Sequence, residues 1–242
     1  MSVVKYTIRD GLTENIVLQT VNLSKTFNSS ITQVIALKNV NISIKKGEFV
    51  AIVGPSGSGK STLLNLLGAL DRPSRGKVLL DGIDIFSLND SDVARLRNKK
   101  IGFVFQSYNL INRTTVLRNI EIPSIIMGIP KEKRINRATN ILKLLGIGDK
   151  ADFKPGSLSG GEQQRVAIAR SLMNNPSIIL ADEPTGNLDT KTGQEVFDLL
   201  KDLSHKYNRT IVMVTHNPEL ANATERSIYI RDGMIEKEII NQ

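Results

Sequence analysis

The chain has 242 residues, and its 40% hydrophobic content is enough for a sizeable core and excludes wholesale disorder. It contains no Cys, which excludes disulfides, thiol catalysis and zinc–thiolate sites. The net charge of +8 is compatible with nucleic acid, an anionic membrane surface, polyphosphate or only a solvated basic surface. No apolar run approaches the roughly 20 residues of a spanning helix, and residues 1–13 are too polar for a secretory signal. We therefore expect a soluble chain that is not exported.

The N-terminal part predicts the entry to an α/β core. Alternating apolar residues predict strands over residues 16–22 and 34–44, and the apolar run 49–53 predicts a short buried strand. A Gly-rich loop and a helical pattern over residues 62–70 follow directly. This order of strand, loop and helix is typical of a nucleotide-binding core.

The middle of the chain changes from strands to helices. Asp81 and Gly82 predict a hairpin turn, and a charged helix over 90–100 and an apolar strand over 101–105 follow. Helical patterns over 116–120 and 131–145 then stand between Pro and Gly residues. We interpret residues 107–157 as a helical insertion.

The C-terminal part again alternates helices and strands. The predicted elements are a helix over 161–173, a strand over 177–181, a helix over 193–206, a strand over 210–215, a short helix over 218–223 and a hairpin that turns at Asp232 and Gly233. We therefore predict one domain over residues 1–242, with a core over about 16–106 and 158–238.

Residues 54–61 fit the phosphate-binding pattern GxxxxGK[ST] at each fixed position, between a predicted strand and a predicted helix. Glycines let backbone N–H groups turn toward phosphate oxygens, and the helix N-terminus adds positive potential. We expect Lys60 to reach the β- and γ-phosphates, Ser61 to coordinate Mg²⁺ and Thr62 to contact the α-phosphate side. A chance Gly-rich loop before a helix is the alternative. The predicted ATP-binding residues of this loop are Gly54, Pro55, Ser56, Gly57, Ser58, Gly59, Lys60, Ser61 and Thr62.

Two carboxylates, Asp182 and Glu183, follow the buried strand predicted over 177–181. An α/β sheet places its ligands at the carboxyl ends of its strands, and a buried strand does not hold an unpaired carboxylate cheaply. We expect Asp182 to hold Mg²⁺ through water and Glu183 to activate the attacking water. A solvated strand end is the alternative.

A second helix start suited to anions lies at residues 158–162. Ser159 fits an N-cap, and Gly160 and Gly161 allow close approach of a ligand. Simple helix capping is the alternative. The apolar residues of the helix that follows recur at helical spacing and predict a buried stripe of Val166, Ala169, Leu172 and Met173.

With these motifs in this order, the chain from about residue 16 to residue 238 resembles the ATPase domain of ABC transporters. Its signature motif is matched by Leu158, Ser159, Gly160, Gly161 and Glu162. The remaining matches are Gln106 to the Q-loop glutamine, residues 187–189 with Asp189 to the D-loop, His216 to the switch histidine, and Phe27 to the aromatic that stacks on adenine.

Three positions depart from the family pattern. The signature has Glu162 where Gln is most common, the aromatic is Phe27 where Tyr is usual, and Asn217 follows the histidine where Asp is common. None of these departures removes a phosphate, metal or catalytic contact. Each match also has a plainer interpretation: Gln106 as a polar strand end, His216 as a surface histidine and Phe27 as part of the core.

The resemblance implies an α/β fold, a P-loop core of ABC type with an N-terminal antiparallel β subdomain and an inserted helical signature subdomain. It also implies an ATP hydrolase that works as a head-to-tail homodimer, with two ATP molecules held between the P-loop of one copy and the signature motif of the other. The implied cofactors are ATP and Mg²⁺. By the same resemblance the catalytic residues are Glu183, His216 and Gln106, and the metal site comprises Ser61, Gln106 and Asp182.

The family also implies a partner, a separate membrane permease that would place the chain at the cytoplasmic face of the cell membrane. No nucleic acid is expected. Residues 103–110 and 184–193 look most like the lipoprotein-release and macrolide-exporter branch. A cell-division or antimicrobial-peptide-sensing module is the alternative, and an ABC ATPase of DNA repair or translation is a more distant one.

The basic residues of the helical insertion have two interpretations. They could face anionic lipid, or they could form a solvated surface. The residues concerned are Arg113, Arg118, Lys131, Lys133, Arg134 and Arg137.

Overall fold

The computed structural model describes residues 15–28 and 33–241, so residues 1–13, which carried the prediction about a secretory signal, lie outside the described part. Within these ranges, no helix combines the length and the apolar character needed to cross a membrane. The strands are β1 (Ile16–Asn28), β2 (Gln33–Val40), β3 (Ser43–Lys45), β4 (Phe49–Val53), β5 (Arg75–Leu80), β6 (Ile83–Asp84), β7 (Ile101–Phe105), β8 (Ile178–Asp182), β9 (Ile211–Thr215), β10 (Arg226–Arg231) and β11 (Met234–Ile240). The helices are α1 (Lys60–Leu67), α2 (Asp90–Lys100), α3 (Val116–Ile126), α4 (Lys131–Leu144), α5 (Gly160–Leu172), α6 (Thr190–Tyr207) and α7 (Pro218–Asn222).

A six-stranded sheet forms the centre of the fold, in the order β11-β10-β4-β9-β8-β7. Neighbours from β10 to β7 are parallel, and only β11 is antiparallel. Both faces of β4 are buried, with Phe49 and Ala51 in one apolar cluster and Val50 and Ile52 in another. This explains why the sequence of β4 is continuously apolar, since parallel sheets are covered on both faces. The prediction of an α/β core is confirmed.

A five-stranded antiparallel sheet stands beside it, in the order β2-β1-β5-β6 with β3 also paired to β1. The predicted strand 16–22 was too short, because β1 continues to Asn28 along β2. The predicted strand 34–44 was wrong in its middle, where β2 ends and β3 begins. At this break the Thr20 hydroxyl donates to Val40 O at 2.9 Å and accepts from the Ile42 N–H at 3.0 Å. This side chain therefore replaces the backbone ladder that a continuous strand would form.

The turns of both predicted hairpins are confirmed. Asp81 and Gly82 have φ of +49° and +78°, and Asp232 and Gly233 have φ of +48° and +73°. Two consecutive left-handed residues match the twist of a tight hairpin, and Asp-Gly supplies them at low steric cost. The antiparallel pairs β5–β6 and β10–β11 flank these turns.

The segment between β7 and α5 contains α3, α4 and two short 3₁₀ turns, Gly148–Lys150 and Pro155–Ser157. The prediction of a helix over only 116–120 was too short, because α3 runs through Pro123 to Ile126. Packing of α3 against α4 and α5 offsets the hydrogen bond that proline removes.

Arg134 and Arg137, two of the six basic residues in the helical segment, donate hydrogen bonds to neighbouring elements. The Arg134 guanidinium donates to Glu121 Oε1 at 3.0 Å and to Ile129 O at 2.6 Å. The Arg137 guanidinium donates to Met173 O at 2.5 Å. These contacts link α4 to α3 and to the end of α5, and the Arg134 side chain, 13% exposed, is not part of an open basic surface. Arg137 is exposed, so its solvated and lipid-facing interpretations both stay predictions.

Candidate active site

A cleft of about 530 Å³ lies at the carboxyl ends of the parallel strands. It brings together parts of the chain that are distant in sequence: the loop between β4 and α1, and the residues that follow β7, β8 and β9. Strand ends of a parallel sheet meet at one edge, where α/β proteins place their ligands. The predicted site residues that line the cleft are Ser56, Gly57, Gly59, Lys60, Ser61, Thr62, Gln106, Glu183 and His216.

The phosphate-loop pattern forms a tight turn around its lysine. The Lys60 ammonium donates to Gly54 O and Pro55 O, both at 2.8 Å, and the residue is only 8% exposed. The Ser58 hydroxyl is buried and has no hydrogen-bond partner among the described residues. Burying a cation against backbone carbonyls and leaving a hydroxyl unpaired both carry a cost, which a bound anion would relieve. The loop therefore fits a phosphate ligand.

Gly59 permits a contact that no other residue would. Its φ is +103°, and a Cβ atom there would lie 2.5 Å from Ala36 O. Gly57 has a left-handed φ of +78° but open space around the corresponding Cβ position.

These two glycines form a matched pair for a stability measurement. We expect Gly57→Ala to lower the free energy of unfolding by about 1–2 kcal/mol, the cost of a left-handed L-residue. We expect Gly59→Ala to lower it by at least about 1 kcal/mol more, because Ala36 must also move. Urea unfolding of both variants tests the difference, and equal losses would contradict the close contact at Gly59.

Asp182 ends β8 and its Oδ1 atom is buried without a hydrogen-bond partner in the described part of the chain. Burial raises the pKa of this carboxyl and the charge of Glu183 raises it further, whereas Lys60 lowers it. Ser61, Gln106 and Asp182 offer only oxygen as metal ligands, which suits a hard cation such as Mg²⁺. Over residues 15–28 and 33–241 no group of three or more His, Asp or Glu side chains could hold a metal.

Glu183 and His216 form the closest polar pair of the cleft. His216 Nδ1 lies 2.5 Å from Glu183 Oε2. Glu183 has a left-handed φ of +44°, while its N–H donates to Val214 O at 3.0 Å. A left-handed non-glycine residue costs energy and redirects its side chain from the strand pattern. The strand end thus turns the Glu183 carboxylate, 20% exposed, toward His216, 70% exposed.

Asn187 holds Gln106 through hydrogen bonds that the sequence did not predict. Its Nε2 donates to Asn187 Oδ1 at 3.1 Å, and Asn187 Nδ2 donates to Gln106 O at 3.0 Å. Asp189, the predicted D-loop residue, caps α6 by accepting from the Thr192 N–H at 3.1 Å. Hydrogen bonds from Thr192 lower the pKa of the Asp189 carboxyl.

The second predicted helix start is a reciprocal capping box. Ser159 Oγ accepts from the Glu162 N–H at 3.3 Å, and Glu162 Oε2 accepts from the Ser159 N–H at 2.8 Å. This second hydrogen bond lowers the pKa of the Glu162 carboxyl. Leu158 and Gly161 are buried, whereas Ser159 is exposed. Residues 158–162, including Gly160, are not part of the lining of the cleft.

Helix α5, which begins at this capping box, is tied to two loops of the cleft. Arg170 donates to Tyr108 O at 2.8 Å and to Asn109 O at 2.6 Å, both left-handed residues that follow Gln106. Gln164, fully buried, donates to Pro184 O at 2.7 Å, directly after Glu183. The helical pattern predicted α5 and its buried stripe, but no sequence signal named these partners.

Phe27 is neither in the core nor in the lining of the cleft. It is 45% exposed, and Lys25 Nζ lies 4.8 Å from its ring centre. It pairs with Val34 across β1 and β2, and Val34 does line the cleft. The interpretation of Phe27 as a core residue is therefore wrong, and its predicted contact with adenine stays a prediction.

Comparison with known proteins identifies the family. The family model "ABC transporter" matches residues 37–186. An uncharacterized ABC transporter ATP-binding protein of Thermotoga maritima is 51% identical over 220 residues, which cover 91% of this chain and 94% of that protein. The macrolide export ATP-binding/permease protein MacB of Brucella melitensis is 50% identical over 214 residues, which cover 88% of this chain but 33% of MacB.

Solved structures agree with the sequence comparison. The dimeric structure of MJ0796, an ABC transporter cassette of Methanocaldococcus jannaschii, has a TM-score of 0.85 at 48% identity, covering 93% of this chain and 99% of that one. A dimeric post-hydrolysis state of the same cassette, bound to ADP and Pi, has the same TM-score. The phosphate loop, the strand-end carboxylates and the helical segment thus occur together in one known architecture. The chain belongs to the ATP-binding proteins of the ABC transporter family and is an ATP hydrolase of that type.

Proposed function

We propose that the chain is one ATPase domain with a helical insertion at residues 107–157, and that it hydrolyses Mg²⁺-bound ATP in a site completed by a second copy. One observation carries the proposal: Lys60, Gln106, Glu183 and His216 meet in one cleft, while Ser159 lies exposed outside it. A helix start suited to an anion that does not line the cleft of its own phosphate loop fits a ligand bound by another copy.

The residues that line the cleft and Asp182, which precedes the cleft residue Glu183 but is not itself part of the lining, divide the chemistry among them. Lys60 and the N–H groups of the phosphate loop bind the β- and γ-phosphates, and Thr62 contacts the α-phosphate side. Ser61, Asp182 and Gln106 hold Mg²⁺, which neutralises charge on the phosphate oxygens when bound. Glu183 accepts a proton from the attacking water. His216 fixes the Glu183 carboxylate through Nδ1 and presents Nε2 to the γ-phosphate.

The head-to-tail arrangement predicts complementation between two defective variants. Lys60→Ala removes the phosphate-loop lysine, and Ser159→Arg blocks the signature helix start. Each variant alone should be inactive, because both of its composite sites contain one defect. In a mixture, one site of each mixed dimer combines an intact Lys60 with an intact Ser159, so we expect ATP hydrolysis to return.

The control mixture combines Lys60→Ala with the double variant Lys60→Ala/Ser159→Arg, in which no complete site can form. Phosphate release is measured for both mixtures at equal total protein. A Lys60→Ala and Ser159→Arg mixture as inactive as its components would contradict the composite site.

The apolar groove between α2, β7, α3 and α5 is the proposed contact with a membrane permease. It has a volume of about 480 Å³, and two of its lining residues, Leu70 and Ile126, are 45% and 70% exposed. Large apolar side chains grouped in a groove mark an interaction site. A short permease helix with an apolar face fits this groove, and MacB carries ATP-binding and permease parts in one protein. This contact would place the chain at the cytoplasmic face of the membrane as part of an export system.

A negative charge introduced into the groove should weaken permease binding without affecting ATP hydrolysis. We expect Ile126→Asp to lower the amount of chain retained on native membranes, without changing its basal ATPase rate. Leu144→Asp is the matched control, since Leu144 is 43% exposed and does not line the groove. Equal retention of both variants would exclude the groove as the docking site.

Reconstitution of the chain with its permease distinguishes a pump from a sensing module. In a pump, cargo release increases in proportion to ATP consumption.

A further inference from the structure

In the contact between Gln106 and Asn187, the structure determines which groups donate hydrogen bonds and which accept them. The two residues are 81 positions apart, and they exchange two hydrogen bonds through three groups: the Gln106 amide, the Asn187 amide and the Gln106 backbone carbonyl. Gly186 permits this approach, because a Cβ atom there would lie 2.7 Å from Gln106 Nε2. The contact is therefore built into the loop and depends on the residue before Asn187.

The backbone carbonyl determines the direction of both amides. A carbonyl oxygen only accepts hydrogen bonds, so the NH₂ end of Asn187 must face Gln106 O. The side-chain oxygen of Asn187 must then face the Gln106 side chain. Because that oxygen only accepts, Gln106 must donate to it from its own NH₂ group. The oxygen end of Gln106, its only side-chain acceptor, is left for the cleft that Gln106 lines.

The same loop also joins Asn187 to the proposed base. The Gly186 N–H donates to Glu183 O at 3.0 Å, which closes a turn directly after Glu183. The loop that begins at the carboxylate of the cleft thus ends at the amide that orients Gln106. One short segment therefore connects Glu183 with the residue that orients Gln106, and both Glu183 and Gln106 line the cleft.

We propose that Asn187 is a positioning residue for hydrolysis, which directs the oxygen of Gln106 toward the attacking water and the metal ion. The proposal rests on the proposed role of Gln106 in the same site. Asn187 itself touches neither substrate nor metal, and acts only through the Gln106 amide.

A double-mutant cycle tests this dependence. We expect Asn187→Ala to lower kcat about 5- to 10-fold, the loss expected for one or two neutral hydrogen bonds. The KM for ATP and the thermal midpoint should stay close to those of the wild type. In the Gln106→Ala background, Asn187→Ala should have no further effect, because the group that it orients is gone. Gln194→Ala is the matched control, since Gln194 is exposed and donates to Asp198 on α6.

A binding measurement gives a second readout. Mn²⁺ affinity in the presence of a non-hydrolysable ATP analogue, followed by electron paramagnetic resonance, should fall several-fold in Asn187→Ala. It should not fall further when Asn187→Ala is added to Gln106→Ala. An effect on either quantity that is the same in both backgrounds would overturn the positioning role.

The outcomes also separate this inference from the function on which it rests. Normal turnover and Mn²⁺ affinity in Gln106→Ala would overturn the role of Gln106 and the positioning role together. Slow turnover in Gln106→Ala together with normal turnover and Mn²⁺ affinity in Asn187→Ala would overturn only the positioning role.

Discussion

Glu183→Gln is expected to bind ATP and to hydrolyse it about 10²- to 10⁴-fold more slowly than the wild type, the usual contribution of a general base. Glutamine has the shape of glutamate and can keep the contact with His216 Nδ1, which lies 2.5 Å from the carboxylate in the wild type. It does not accept the proton of the attacking water. ATP should therefore remain bound, and the variant should accumulate as a dimer.

Single-turnover phosphate release measures the rate of this variant, and light scattering measures its dimer. Glu219→Gln is the matched control, because Glu219 is an exposed residue of α7 that does not line the cleft. Near-normal turnover in Glu183→Gln would exclude Glu183 as the base. Slow hydrolysis by Glu183→Gln without an ATP-dependent dimer would support Glu183 as the base but contradict the composite site.

Lys60→Ala is expected to weaken ATP binding by roughly 10- to 150-fold. Hydrogen bonds to charged groups are worth about 1.5–3 kcal/mol, and each 1.4 kcal/mol is tenfold in affinity. Lys60 is positioned for this role because the residue is only 8% exposed and its ammonium donates to the carbonyls of Gly54 and Pro55 in the phosphate loop. Calorimetric titration in the Glu183→Gln background keeps the ATP intact during the measurement.

Lys77→Ala is the control for Lys60→Ala, because Lys77 is exposed and its ammonium lies 3.6 Å from Asp84 outside the cleft. Unfolding of both variants checks that neither loses its fold. An unchanged ATP affinity in Lys60→Ala would count against the phosphate-binding role of the loop.

The parts of the site that are continuous in sequence were the ones that could be predicted. The phosphate loop is read from eight adjacent residues, and its conformation depends on its own glycines and on the strand and helix beside it. The N-cap at Ser159 was also predicted, because capping is a contact over three residues. Local patterns of this kind carry their own geometry.

Contacts between distant residues were not predictable in the same way. Asn187 meets Gln106 across 81 positions, and Arg170 reaches the carbonyl of Asn109 across 61. These contacts depend on how strands order themselves within the sheet. The local sequence around a polar residue is the same whether its side chain is solvated or forms a hydrogen bond to a distant residue.

Local rules also failed where packing overrides them. Pro123 usually ends a helix, but α3 continues through it because α4 and α5 cover that helix. The alternating apolar residues of 34–44 suggested one strand, but the Thr20 hydroxyl takes the place of the ladder between Val40 and Ile42. Neither outcome is contained in the pattern of the segment itself.

In the proposed dimer, the phosphate loop of one copy meets the signature helix of the other around ATP. The chain has no Cys, so single cysteines can be introduced without background reaction. Ser56→Cys and Ser159→Cys, both at exposed positions, are mixed in the Glu183→Gln background and treated with a short bis-maleimide. We predict a cross-linked dimer that contains one chain of each kind, and that forms with ATP but not with ADP. The same yield without ATP, or cross-links only between identical variants, would contradict the head-to-tail site.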